Sequence, residues 1–133
     1  MFMNTLKPVP IERREYPRVN TEWPATLYYE DDTEIQTTII NISRIGLQIK
    51  CSKMVASTML SDRFQPIPGK AAKVTVIFEI TPESGQEIMV QCEVVRAQRS
   101  SQNEFSISFK YLDMDESYFK LIDSYITEIY PNH

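Results

Sequence analysis

From residue 104 to 111 the chain alternates without interruption: Phe105, Ile107, Phe109 and Tyr111 are apolar or aromatic, and Ser106, Ser108 and Lys110 are polar. A period of two marks a strand with one buried face. The same period recurs upstream. Leu47, Ile49 and Cys51 alternate with Gln48 and Lys50, while Val74, Val76, Phe78 and Ile80 share a face, as do Ile88, Val90, Cys92 and Val94. Two more β-rich runs, WPATLYY at 23–29 and EIQTTIINIS at 34–43, come first. Turn-forming stretches separate the runs: DDT at 31–33, Gly46, TPESGQ at 81–86 and RSSQN at 99–103.

The period changes after residue 112. Tyr118, Ile122, Tyr125 and Ile129, joined by Phe119 and Ile126, recur at helical spacing. Asp113 with Glu116 three residues later fits a capping-box start, and Pro131 stops the element, so the spacing predicts a helix over 114–130. Strands at meander spacing followed by one amphipathic helix predict an all-β fold, a six-stranded antiparallel β-barrel closed by the C-terminal helix. Closure would remove the exposed edges that short strands create. Residues 52–69 read as a connection with one short helix, whose Met54, Met59, Leu60 and Phe64 either pack on the barrel or offer a partner surface. Residues 1–12, with Pro8 and Pro10 and no periodicity, predict a flexible arm ahead of a single domain over 13–130.

A length of 133 residues and 42% hydrophobic content suit one domain with one core. The net charge of −4 is unevenly spread: residues 1–20 carry +2, leaving −6 for the rest. A mostly acidic body with a basic entry does not suit a nucleic-acid polymer, which needs a broad basic face; it suits a small anion. Cys51 and Cys92 lie in alternating stretches without CxxC spacing, which predicts reduced core thiols in a cytoplasmic protein. No apolar run approaches a membrane span, so no membrane insertion is expected. The single histidine, His133, is the last residue, which gives no support to a histidine triad or a histidine-anchored metal site. The acidic clusters at 30–32 and 113–116 read as a turn and a helix start, and no glycine-rich phosphate loop is present. The expectation is a protein with no catalytic residues, no metal and no cofactor.

Two short stretches stand out against this background. In RREYPR at 13–18, Pro17 keeps Tyr16 out of a helix, so a helical salt-bridge face does not explain Arg14 and Arg18. Arginine presents a planar fork of donors that grips phosphate or the O6/N7 edge of guanine and stacks on purines. The stretch reads either as a solvated basic linker pairing with Glu12 and Glu15, or as a guanine-nucleotide clamp. NISRIG at 41–46 also has two readings. It is a strand end with Asn41 and Ser43 bonding local backbone and Gly46 at positive φ, or a polar rim with an Asn oxygen for guanine N1–H or N2–H and a Ser hydroxyl beside it.

Together, R-x-x-x-R at Arg14 and Arg18 followed by N-x-S-x-x-G at Asn41, Ser43 and Gly46 resembles the paired signature of the PilZ domain family. EVVRAQ and FSISFKYLDMDESYFKLIDSYI are similar to that family's closing hairpin and helix, so the resemblance covers residues 12–130. It implies a six-stranded barrel with a C-terminal helix that serves bacteria as a non-catalytic receptor for cyclic di-GMP. Carried onto the matching positions, it implies that Arg14 and Arg18 bind phosphate and the Hoogsteen edges of guanine. Asn41 and Ser43, on the barrel surface, would hold one guanine, and Gly46 would shape the turn that admits it. Asn41 stands where the family has Asp or Asn. Arg13 is expected as an additional phosphate contact and Arg44 as solvent-facing, while Val94 and Arg96 either border the site or wall the barrel. The resemblance further leads us to expect that ligand orders the N-terminal arm, that a downstream protein partner reads the change, and that the chain is a monomer or weak dimer. The alternative is a barrel of this type that has lost its ligand and acts as an interaction adaptor in pilus or flagellar function. The intact Arg14, Arg18, Asn41, Ser43 and Gly46 argue against it.

Overall fold

The alternating runs become strands, and the strands close on themselves. A computed structural model describes residues 16–30 and 33–132. The order is β1 (Val19–Tyr29), β2 (Thr33–Ile42), β3 (Gly46–Ser52), α1 (Lys53–Met59), β4 (Lys73–Glu79), β5 (Glu87–Ser101), β6 (Glu104–Asp113) and α2 (Glu116–Ile129). The strands form a closed barrel in the order β1-β2-β3-β6-β5-β4, with β4 pairing back onto β1 and every pair antiparallel. The expected arm at 1–12, Arg13, Arg14 and the hairpin tip at 31–32 lie outside the described residues.

Period-two alternation builds the core. Leu27, Ile39, Ile49, Ile107, Val76 and Ile88, drawn from all six strands, are each fully buried inside the barrel. Each such side chain contributes about 1.5–3 kcal/mol relative to exposure. Pro24 lies within β1, in register with Thr38 of β2 and just beyond Ala25, the last residue there to pair with β4, so on the β4 side it is outside the ladder. The connection after β3 holds the expected short helix. Met59 and Leu60 are buried, and Phe64 stacks on Phe105 at 4.7 Å, whereas Met54 is exposed. Three of the four apolar residues thus pack.

Boundaries differ from the sequence reading in three places. β1 begins at Val19 rather than Trp23. The RSSQN stretch is mostly strand, since Ser101 pairs with Glu104 and only Gln102 and Asn103 form the tip; polar outward residues are no obstacle to a ladder. The helix is capped by Asp115, not Asp113, because Asp113 is still paired with Gln91 in β6. Hydrogen bonds from the Ser117 hydroxyl and N–H hold the Asp115 carboxyl below its ordinary pKa. α2 buries Ile122 and Ile126, and Tyr125 meets Trp23 edge-on at 5.1 Å.

Candidate ligand-binding site

Between β2 and β3 the chain reverses through NISRIG, and Ser43 organises the reversal. Its N–H donates to the Gly46 carbonyl at 2.9 Å. Its hydroxyl accepts from the N–H groups of Ile45 and Gly46, both at 3.2 Å, and donates to the Gly46 carbonyl at 3.2 Å. One side chain therefore makes three hydrogen bonds to the backbone of the turn. The Tyr111 hydroxyl donates to the Ser43 carbonyl at 2.9 Å and the Tyr111 N–H to the Ile45 carbonyl at 3.0 Å. Burial raises the Tyr111 phenol well above its ordinary range, so it stays protonated as a donor.

Three expectations are corrected at this turn. Ser43 is not on the surface: it is only 6% exposed, and its hydroxyl is committed to the turn. Gly46 is not at positive φ; position 46 needs a missing side chain, because a Cβ there would stand 2.1 Å from the Phe109 carbonyl oxygen. Arg44 does not face solvent. Its Nε lies 2.6 Å from Asp123 Oδ1 and its Nη2 2.9 Å from Thr127 Oγ1, so the fork grips two residues one helical turn apart on α2.

On the outer face of the barrel, Asn41, Gln48, Ser108 and Arg96 stand in register across β2, β3, β6 and β5. Asn41 Nδ2 donates to Gln48 Oε1 at 2.5 Å, which leaves Asn41 Oδ1 as an acceptor without a partner among the described residues. Arg18, Asn41, Ser43 and Gly46 line one cleft of about 480 Å³, together with Tyr16, Gln48, Val95, Ser108 and Lys110. Arg18 precedes β1, follows the buried Pro17, and is exposed. Its carbonyl lies 3.5 Å from the Tyr130 hydroxyl beyond the end of α2.

These groups can hold an anion and a planar base. The Arg18 guanidinium can supply charge-assisted donors to an anion, and the Lys110 ammonium on the same cleft is paired with Glu93 at 3.3 Å. Tyr16 offers an aromatic face on which a base can stack, and Asn41 offers an amide oxygen to a guanine edge. Among the described residues, no cluster of three metal-ligating side chains occurs and no helix is long and apolar enough to cross a membrane. A larger hollow of about 740 Å³ is bordered by Thr37, Lys50, Ser52 and Glu104. Lys50 there is paired with Glu104 at 3.3 Å, as Lys110 is with Glu93 at 3.3 Å; the difference is that no arginine lines the larger hollow among the described residues, whereas Arg18 lines the cleft.

Tyr16, Gln48, Val95, Ser108 and Lys110 were not singled out as ligand contacts by sequence reasoning. Alternation alone puts Gln48, Ser108 and Lys110 on the outward face; the missing fact is that β3 pairs with β6. Val94 walls the barrel at 3% exposure, and the bulge between Val94 and Arg96 turns Val95 out into the cleft instead. Arg96 is exposed and in register with Ser108.

The sequence pattern of the PilZ domain family matches residues 12–128. The chain belongs to the PilZ domain family. Solved structures share the fold of this PilZ domain. The Bacillus subtilis inhibitor of motility, MotI/DgrA, superposes with a TM-score of 0.67 at 18% identity, covering 92% of this chain and 53% of that one. MrkH of K. pneumonia in complex with c-di-GMP gives 0.61 at 17% identity, over 90% of this chain and 53% of that one. The PilZ domain of Escherichia coli YcgR with c-di-GMP gives 0.59 at 8% identity, over 91% of this chain and 99% of that one. At such identities the likeness is one of fold. This PilZ domain spans about half the length of MotI/DgrA and of MrkH. No curated protein matches the sequence.

Proposed function

We propose that this PilZ domain is a cytoplasmic receptor for cyclic di-GMP without catalytic activity, and that Arg13, Arg14 and Arg18 form one jaw of its site and the NISRIG turn the other. The observation that carries the reading is the meeting of Arg18 with Asn41, Ser43 and Gly46 in a single cleft. Arg18 and the turn come from separate parts of the chain, yet both border a space with a stacking face, an amide acceptor and two cations. A small cyclic dinucleotide needs all of these at once: planar bases to stack and two phosphate charges to bind. Solved relatives of the same fold, MrkH and YcgR, have been captured with c-di-GMP.

In this reading Asn41 accepts from a guanine edge, while Ser43 acts mainly by holding the turn that presents Asn41. Arg13, Arg14 and Arg18 close over the phosphates, so the arm becomes ordered when ligand binds. Ile45 lines both the cleft and an adjoining groove with the exposed Leu112 and Phe119. A change in the cleft is thereby felt at a surface where a downstream protein partner would engage. Amide hydrogen exchange of the full chain tests the ordering step. Cyclic di-GMP should slow exchange in residues 12–18 and in the turn at 41–46, whereas GTP or linear pGpG should not. Equal protection by all three nucleotides would reduce the site to unspecific anion capture.

A further inference from the structure

Gly46, Lys110, Glu93 and Lys73 stand in register across β3, β6, β5 and β4. The row is asymmetric about Lys110. On one side Glu93 holds its Nζ at 3.3 Å. On the other side Gly46 has no side chain, and there lies the cleft that Lys110 lines with Arg18 and Asn41. The Lys110 side chain is 55% exposed, so its flexible four-carbon stem has room to move between the two sides.

We propose that Lys110 is a phosphate-contacting residue of the cleft, held in reserve by Glu93 and released over Gly46 when an anionic ligand enters. The proposal rests on the receptor reading of the same cleft. The exchange is energetically mild on both sides. An ion pair with one exposed partner is only weakly stabilising, and a doubly charged dinucleotide outcompetes a single carboxylate beside Arg18. Glu93 is not left alone, because Lys73 faces it from β4 and cross-strand neighbours stand about 5 Å apart at Cβ. Glu93 therefore acts as an internal competitor that sets the ligand concentration at which the cleft fills. The missing side chain at position 46 serves twice: it lets β3 approach β6 and leaves the path of the lysine open.

Calorimetric titration of the full chain with cyclic di-GMP tests this in four forms: wild type, Lys110→Ala, Glu93→Ala and the double variant. Lys110→Ala should weaken binding about tenfold, the loss of one charge-assisted contact. Glu93→Ala should tighten it about two- to fivefold by removing the competitor. The double variant should bind like Lys110→Ala. Thermal unfolding of each variant separates a lost contact from a lost fold, and Lys110→Gln, which keeps the stem, reads the same loss if the alanine variant unfolds. Unchanged affinity in Lys110→Ala, or no tightening in Glu93→Ala, while wild type binds, overturns the inference and leaves the receptor reading standing. No binding by the wild type overturns both.

Discussion

The Phe109 carbonyl oxygen stands 2.1 Å from the point that a Cβ on Gly46 would occupy. β3 and β6 approach too closely at Gly46 to admit a side chain, and Gly46 lines the cleft. Replacing Gly46 with Ala must push the two strands apart at Phe109, at a cost of about 1–3 kcal/mol. Urea unfolding should show the unfolding free energy falling by that amount and the midpoint falling with it, with ligand affinity falling as well. A midpoint equal to wild type would mean that the strands tolerate the side chain and that the close approach has no structural weight.

Arg44 Nε and Asp123 Oδ1, 2.6 Å apart, fasten the turn to α2. The arginine side chain is only 13% exposed, but Asp123 is half exposed, so the pair is worth about 1 kcal/mol. Arg44→Ala and Asp123→Ala should each lower stability by that order. Since both remove the same contact, the double variant should lose less than the sum of the two. Strict additivity in a double-mutant cycle would show that the two side chains do not act on one another.

Legibility divided along the range of the interactions. Strands whose apolar face is regular, such as Phe105 to Tyr111, could be read directly, because alternation is a local signal. The roles of Gly46 and Arg44 could not, because their partners, Phe109 and Asp123, are far along the chain and only barrel closure brings them near. A glycine in a turn suggests positive φ by default, and an arginine in a polar loop suggests solvent; in both cases a tertiary contact decides. The Asn-Ser-Gly spacing marks the turn between Thr33–Ile42 and Gly46–Ser52, but not the division of labour within it. Ser43 is spent on backbone hydrogen bonds, whereas Asn41 keeps an acceptor facing no protein partner among the described residues. The helix start was misread because Asp113 and Asp115 are equally good caps locally, and only pairing with Gln91 assigns Asp113 to β6.

The two thiols give the protein an alkaline limit. Burial pushes Cys51 up to about 11 and Cys92 up to about 12 from an ordinary 9.0. Both pKa values are raised in the folded state, so their contribution to stability is complete below pH 9 and is lost as pH climbs toward 11–12, where the unfolded chain ionises first. At pH 8 a thiol reagent should leave the native protein unlabelled and modify both cysteines in urea. Above pH 9 the urea midpoint should decline. Rapid labelling of the native state would contradict the burial of these side chains.

Trp23, the single tryptophan, is 7% exposed and lies between Phe78 and Tyr125 of α2. Its native emission should be blue-shifted and should move red on unfolding. Ile126→Ala removes a fully buried anchor of α2 and should destabilise the fold by about 2–5 kcal/mol. Chemical unfolding followed by this emission checks it; a loss below about 1 kcal/mol would mean that the helix is not part of the core.

In the proposed function, one cleft, closed by the arginines of RREYPR and the NISRIG turn, recognises cyclic di-GMP. Isothermal titration of the full chain with this dinucleotide tests it most directly. Wild type should show saturable binding at micromolar ligand or tighter, lost in Arg14→Ala and in Arg18→Ala variants that still unfold cooperatively. Absence of heat with wild type, or binding that survives both substitutions, would contradict it.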